Sequence, residues 1–206
     1  MRIDWVPYSA SALVAGATAL LAGALLMPAS GEGGESLRIV QEEGGRWLTV
    51  AGLYFFAAVT LTLGLPAVLT LLDARSVRLG LTAAGLFVIG CIGTAGYAAL
   101  LVMVRALVLL ETIGERDLDR LAGDAGLGVF LYGWVAAFFL GELLLGIALL
   151  RSRDVPRWQP LLLLGHVASL PLSAILPPEV GPWTVVLAAI GLTGIGITAN
   201  NQQLRV

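Results

Sequence analysis

The chain has 206 residues, 58% of them hydrophobic and only 13% charged, with a mean hydropathy of +0.90. A soluble domain carries roughly 25% charged residues, so a chain this apolar uses lipid as part of its solvent. The net charge of −2 and pI near 5.3 provide no basic face for a nucleic-acid partner.

Single residue types narrow the chemistry further. All 12 cations are Arg, which excludes a lysine Schiff base and with it retinal or pyridoxal chemistry. The one cysteine, Cys91, allows neither an intramolecular disulfide nor a cysteine zinc site. The one histidine, His166, allows no bis-histidine haem, although a single axial ligand remains open. No cofactor and no metal site is expected.

Hydropathy divides the chain into six runs. The first, about 7–27, is longer than the roughly 7–15 residues of a signal-peptide core and reads as a retained span. A polar loop with glycine pairs follows, in which SLRIVQEE has the composition of a short surface helix. The second span, about 47–72, contains Pro66. The third apolar run, Leu79–Leu110, would form a helix of about 48 Å against a hydrocarbon core of about 30 Å. It is therefore read as a span over 79–103 whose last turns lead into the acidic segment ETIGERDLDRLAGDAG. The fourth span is 128–150. It ends in RSRDVPRW, a turn holding Arg151, Arg153 and Arg157. The fifth, 159–176, holds Pro171, and the sixth, 183–199, runs into the polar tail NNQQLRV. The expectation is one transmembrane domain over 1–206, an all-α bundle of six spans.

Arginine sets the orientation. The N-terminus, DARSVR, RSRDVPRW and the tail hold seven, and the loops on the other side hold four. The richer side is expected to be cytoplasmic, with both termini inside a plasma membrane. Tryptophan agrees: Trp5, Trp47, Trp158 and Trp183 fall at span ends, where indoles prefer to sit, and only Trp134 lies deeper.

Ionisable groups inside spans are costly and need a reason. Arg105 lies about 39 Å along its helix, at the outer interface, where its long side chain can snorkel. Glu142 lies about 13 Å from the arginine turn and is too short to reach water. His166 sits at a matching depth on the fifth span, so the two are expected to meet in the inner half of the bundle; Arg105 is too far away to be the partner. Gln159, His166, Ser169 and Ser173 are spaced by seven, three and four residues and share one helix face. Pro66 frees the carbonyl of Thr62, and Pro171 that of Val167. Glu142 and His166 are thus the candidate catalytic pair. Thr62, Gln159, Ser169 and Ser173 are candidate walls of a cytoplasm-facing cavity, and Arg105, Trp47, Trp158 and Trp183 are interfacial. Gly133, Ala137 and Gly141 form a small-residue stripe that lets a neighbouring helix come close.

FLGELLLGIALLRSRDVPRWQPLLLLG, with Gly141, Gly146, Arg151, Ser152, Val155, Pro156, Arg157 and Trp158, resembles a group of uncharacterised six-span bacterial membrane proteins. In that group a glycine-rich fourth span ends in an arginine–serine turn followed by V-P-R-W. The resemblance implies a six-helix integral membrane protein and carries no established activity.

Three functions fit these residues. One is binding of a membrane lipid, an apolar small molecule or a partner membrane protein within the bilayer. The second is intramembrane acid–base chemistry on an apolar substrate, of the prenyl cyclase or isomerase type, with Glu142 as proton donor. The third is a small proton-coupled transporter using the same pair. Whether a cavity reaches Glu142 discriminates among them.

Overall fold

A computed structural model describes residues 5–28, 34–172 and 181–203. The described residues form helices and the turns that join them, without strands. The helices are α1 (Val6–Leu26), α2 (Gly34–Glu42), α3 (Gly44–Leu69), α4 (Val77–Leu109), α5 (Glu115–Ala122), α6 (Ala125–Leu150), α7 (Trp158–Leu172) and α8 (Gly181–Gln203). Five of them, α1, α3, α4, α6 and α8, are long and apolar enough to cross a membrane. The fifth run of the sequence corresponds to α7, which has 15 described residues. The third run forms one continuous 33-residue helix to Leu109. The acidic segment then turns into the short surface helix α5, whose Asp117 accepts from the Gly114 amide. Asp124 caps α6 by accepting from the Leu127 amide at 2.7 Å.

The long helices close a ring. α1 packs on α3, α3 on α4, α4 on α6, α6 on α7, α7 on α8, and α8 returns to α1. Each pair in the chain of contacts is antiparallel: Gly16 faces Leu61 while Gly64 faces Leu13, and Gly93 faces Trp134 while Gly141 faces Phe87. One end of the bundle therefore carries DARSVR and RSRDVPRW, the arginine end. The other carries α2 and α5, the acidic end.

Hydrophobic residues cover these helices on all sides, so burial from water cannot decide which faces meet; close backbone approach and polar contacts do. A Cβ on Gly64 would stand 2.6 Å from the Leu13 Cα. A Cβ on Gly90 would stand 2.5 Å from the Phe138 Cα. The expected stripe on α6 is only partly used. Gly141 meets the Phe87 backbone, but Gly133 has open space around it, and the close approach there is carried by Gly90 and Gly93 of α4.

Polar ties lock the ends. At the arginine end the Ser152 hydroxyl donates to the Leu71 carbonyl at 2.6 Å. At the acidic end Trp47 Nε1 donates to the Leu101 carbonyl at 2.8 Å and Arg105 Nε to the Gly44 carbonyl at 2.7 Å. Arg105 and Trp47 thus clamp α3 to α4. Trp158 and Trp183, at opposite ends of the bundle, are exposed, at 50% and 63%.

Pro66 is served by an unexpected residue. Ser9 of α1, buried, donates to the Leu63 carbonyl at 2.7 Å and accepts from the Ala67 amide at 3.1 Å. These are the two backbone groups that pair four residues apart in an ordinary helix. The hydroxyl sits between them one position beyond the carbonyl that the proline leaves bare. Ser9→Ala leaves both groups without this partner in an apolar interior and should cost about 1–3 kcal/mol. The midpoint of thermal unfolding in detergent should fall accordingly, and by much less in a Pro66→Ala background, where a regular helix can satisfy itself. An equal loss in both backgrounds would separate Ser9 from the proline.

Candidate functional site

The site is built on α6 and α7. α6 carries Glu142 one residue beyond Gly141, which brings α4 close, and four before Gly146, which admits Leu164 of α7. α7 runs antiparallel and sets His166 opposite Glu142. Both side chains are buried, at 1% and 4% exposure. His166 Nδ1 stands 2.9 Å from Glu142 Oε1 and 2.8 Å from Oε2. The imidazole also packs on Phe139, with centroids 5.2 Å apart and planes tilted by 32°.

A buried ionised group is tolerated only when paired. Two net-neutral arrangements suit this dyad: an imidazolium beside a carboxylate, and a neutral imidazole beside a protonated carboxyl. The near-equal distances to both oxygens favour Nδ1–H as a donor shared between them.

Beside the dyad lies a cavity of about 570 Å³. All six ring helices contribute to it, for example Leu20 of α1, Tyr54 of α3, Thr94 of α4, Phe138 of α6 and Val185 of α8, with His166 from α7. No Asp, Glu or Arg is among its lining residues. Glu142 is not on its surface either; it stands behind His166. The lining comes from the acidic-end halves of α1, α3, α6 and α8, so His166 forms the floor and the cavity extends away from the arginine end. Toward the arginine end the interior holds Leu145, Leu149, Leu163 and Leu192, none more than 1% exposed.

The other candidate wall residues are used elsewhere. Gln159 and Thr198 exchange hydrogen bonds, Nε2 to Oγ1 at 2.9 Å and Oγ1 to Oε1 at 3.2 Å, which joins α7 to α8. Ser169 donates to the carbonyl of His166 at 2.6 Å. Thr62 donates to the Ala58 carbonyl at 2.8 Å. None of these three lines the cavity. Ser173 lies outside the described residues. The polar stripe on α7 therefore splits, with Gln159 facing α8 and His166 facing α6. Arg105 is engaged with Gly44 at the acidic end and has no part in the dyad.

Sequence reasoning passed over Trp134. It lines the cavity, and its Nε1 is buried without a hydrogen-bond partner among the described residues. The available signal was that it alone among the tryptophans lies away from a span end. No protein-family model, curated protein or solved structure matches the chain.

Removing one member of a buried pair strands the other. His166→Ala should destabilise by about 3–5 kcal/mol, whereas Glu142→Leu combined with His166→Leu should recover most of that loss. Thermal unfolding of the single and double variants in detergent checks this. Additive losses would mean that the two side chains do not depend on each other.

Proposed function

We propose that this protein is a six-span integral membrane protein, both termini cytoplasmic, that binds an apolar molecule inside its helix ring. The observation that carries the reading is the cavity: about 570 Å³, free of charged lining residues and floored by the one histidine. Its size falls in the range of about 300–1,000 Å³ that holds small organic ligands and cofactors. α7 is taken as the sixth span because it occupies a ring position equivalent to the five long helices. The arginine distribution supports the orientation and a cytoplasmic-membrane location. The V-P-R-W turn supports kinship with the six-span bacterial group.

The dyad supports a second reading, acid–base catalysis on the bound molecule. A carboxylate that orients an imidazole while the far ring nitrogen faces a substrate is a recurrent proton-transfer device. Here His166 is the group that meets the substrate and Glu142 positions it, which reverses the roles expected from sequence.

Gly128 lines the cavity, and a Cβ built there meets nothing within 4 Å. Gly128→Phe should therefore fill space without displacing a helix. The purified protein should bind radiolabelled decylbenzene saturably in detergent, and the variant should lose that binding at unchanged thermal stability. Equal saturable binding by both proteins, or none by wild type, would refute the cavity as a binding site.

The orientation has its own check. Arg38, on α2, has a side chain 65% exposed, and Arg153, in the arginine turn, is exposed as well. With Cys91 replaced by Ser, Arg38→Cys should react with an impermeant thiol reagent in intact cells, and Arg153→Cys only after lysis. The opposite pattern reverses the topology.

A further inference from the structure

The arginine end carries charge that the protein itself leaves unpaired. Arg75 and Arg78, in the turn before α4 and its first residues, are exposed, as are Arg151, Arg153 and Arg157 in the turn after α6. The hydrogen bond from Ser152 to the Leu71 carbonyl holds the two turns side by side. None of these guanidinium groups has an ion pair or hydrogen bond among the described residues. Asp73 and Asp154 lie in the same turns without pairing to them. Five arginines against these two aspartates leave three net positive charges among the described residues of this end. The acidic end differs. There Arg38, Arg46 and Arg120 pair with Glu42, Glu43 and Asp117, and Arg105 donates to the Gly44 carbonyl.

Arg78 also heads an apolar column. Steps of three and four residues along α4 put Leu81, Gly85, Ile89 and Ile92 on its face, and all four are exposed. A Cβ on Gly85 would meet nothing within 4 Å, so the column has a notch. From Arg78 to Ile89 the helix rises about 16 Å, close to the roughly 15 Å of hydrocarbon in one leaflet. Side chains lean toward the helix N-terminus, which carries the Arg78 guanidinium out of the hydrocarbon to headgroup level. Arg151, just past the end of α6, is level with it. It lies ten residues after Gly141, which meets the Phe87 backbone, and Arg78 lies nine before Phe87. A cation above an apolar column one leaflet deep is the complement of an anionic phospholipid. A soluble anion gains nothing from the column. A zwitterionic headgroup brings a cation of its own to an end that is already positive. We propose that this face of α4 binds an anionic phospholipid, with its phosphate on Arg78, within the field of Arg151, and an acyl chain along residues 81–92. The guanidinium suits a phosphate because its fork donates two N–H groups at once. The site lies on the outside of the ring and does not depend on what fills the central cavity.

The test uses full-length protein carrying Cys91→Ser and Ile89→Cys, labelled at the new thiol with bimane, in phosphatidylcholine nanodiscs. Phosphatidylglycerol and phosphatidylcholine with the same brominated chains are titrated in, because bromine quenches the label only at close range. Half-maximal quenching should need about tenfold less brominated phosphatidylglycerol than brominated phosphatidylcholine. Arg78→Gln should remove most of that preference. Arg116→Gln, at an exposed position of α5 on the acidic end, should leave it unchanged. Equal quenching by the two lipids overturns the proposal, and so does a preference that survives Arg78→Gln or is lost in Arg116→Gln. Soluble glycerol phosphate should not relieve the quenching; relief would overturn the lipid assignment in favour of a free phosphate.

Discussion

A carboxylate in an apolar bundle needs a partner, and the placement of α7 follows from meeting that need for Glu142. The side chain is 1% exposed and cannot reach either membrane surface. Its partner must come from the adjoining helix, at the same depth, with the ring turned inward. α7 satisfies this by running antiparallel to α6 and packing Leu164 against Gly146, so that His166 falls opposite Glu142. On its other side α7 is held by Gln159 and Thr198. It is thus fixed to both neighbours by side-chain pairs in addition to close contacts at Gly146, Gly191 and Gly194, whereas α4 and α6 come together over Gly90, Gly93 and Gly141. Where lipid surrounds the helices, association rests on packing and internal hydrogen bonds because there is little hydrophobic gain. The two kinds of interface are two solutions to that constraint.

The polar ties also explain where empty space can exist. Ser9, Ser152, Gln159 and the Glu142–His166 pair all lie between the middle of the bundle and the arginine end, and with them the leucine layer fills the interior. Beyond His166 the ties lie at the rim, where Trp47 and Arg105 join α3 to α4. Between these two sets the helices present glycines and aromatic rings. Gly90 and Gly93 supply no side chain to fill the centre, and Phe138 and Trp134 pack across them at its edge. The cavity is what remains.

Much of this was legible in the sequence because depth along a helix is simple arithmetic. A residue rise of about 1.5 Å places Glu142 and His166 level and separates Arg105 from both. The apolar runs likewise marked the long helices, and SLRIVQEE the surface helix α2. The rest depended on which faces meet, and here periodicity was silent, since helices that are apolar all round have no preferred side. Gln159 and His166 share a face of α7, yet that face touches two neighbours, so one residue turns to α8 and the other to α6. Pro66 announced a disturbed helix but not the hydroxyl that bonds beside it, because Ser9 lies 54 residues from Leu63 in the chain. Trp134 was visible only as a tryptophan out of place; its unmade hydrogen bond is a property of the packed bundle.

The position of the cavity weighs on mechanism. A carrier must expose its binding group to each side of the membrane in turn. On the arginine side His166 is sealed by Leu145, Leu149, Leu163 and Leu192, and by the Ser152 tie that holds the turn against α3. Opening that layer would expose buried leucines and break polar contacts with no replacement partners in the apolar interior, at a cost that grows with each group exposed. On the other side α6 is a single-helix wall. Val129 is 76% exposed on its outer face, while Leu131 and Val135 line the cavity. An apolar molecule dissolved in the bilayer need pass only one helix to reach the imidazole, whereas an ion from the arginine end would have to cross the leucine layer. On the function proposed above, that asymmetry fits a protein that takes its ligand from the hydrocarbon, to hold it or to exchange a proton with it, better than one that moves solutes between two aqueous phases.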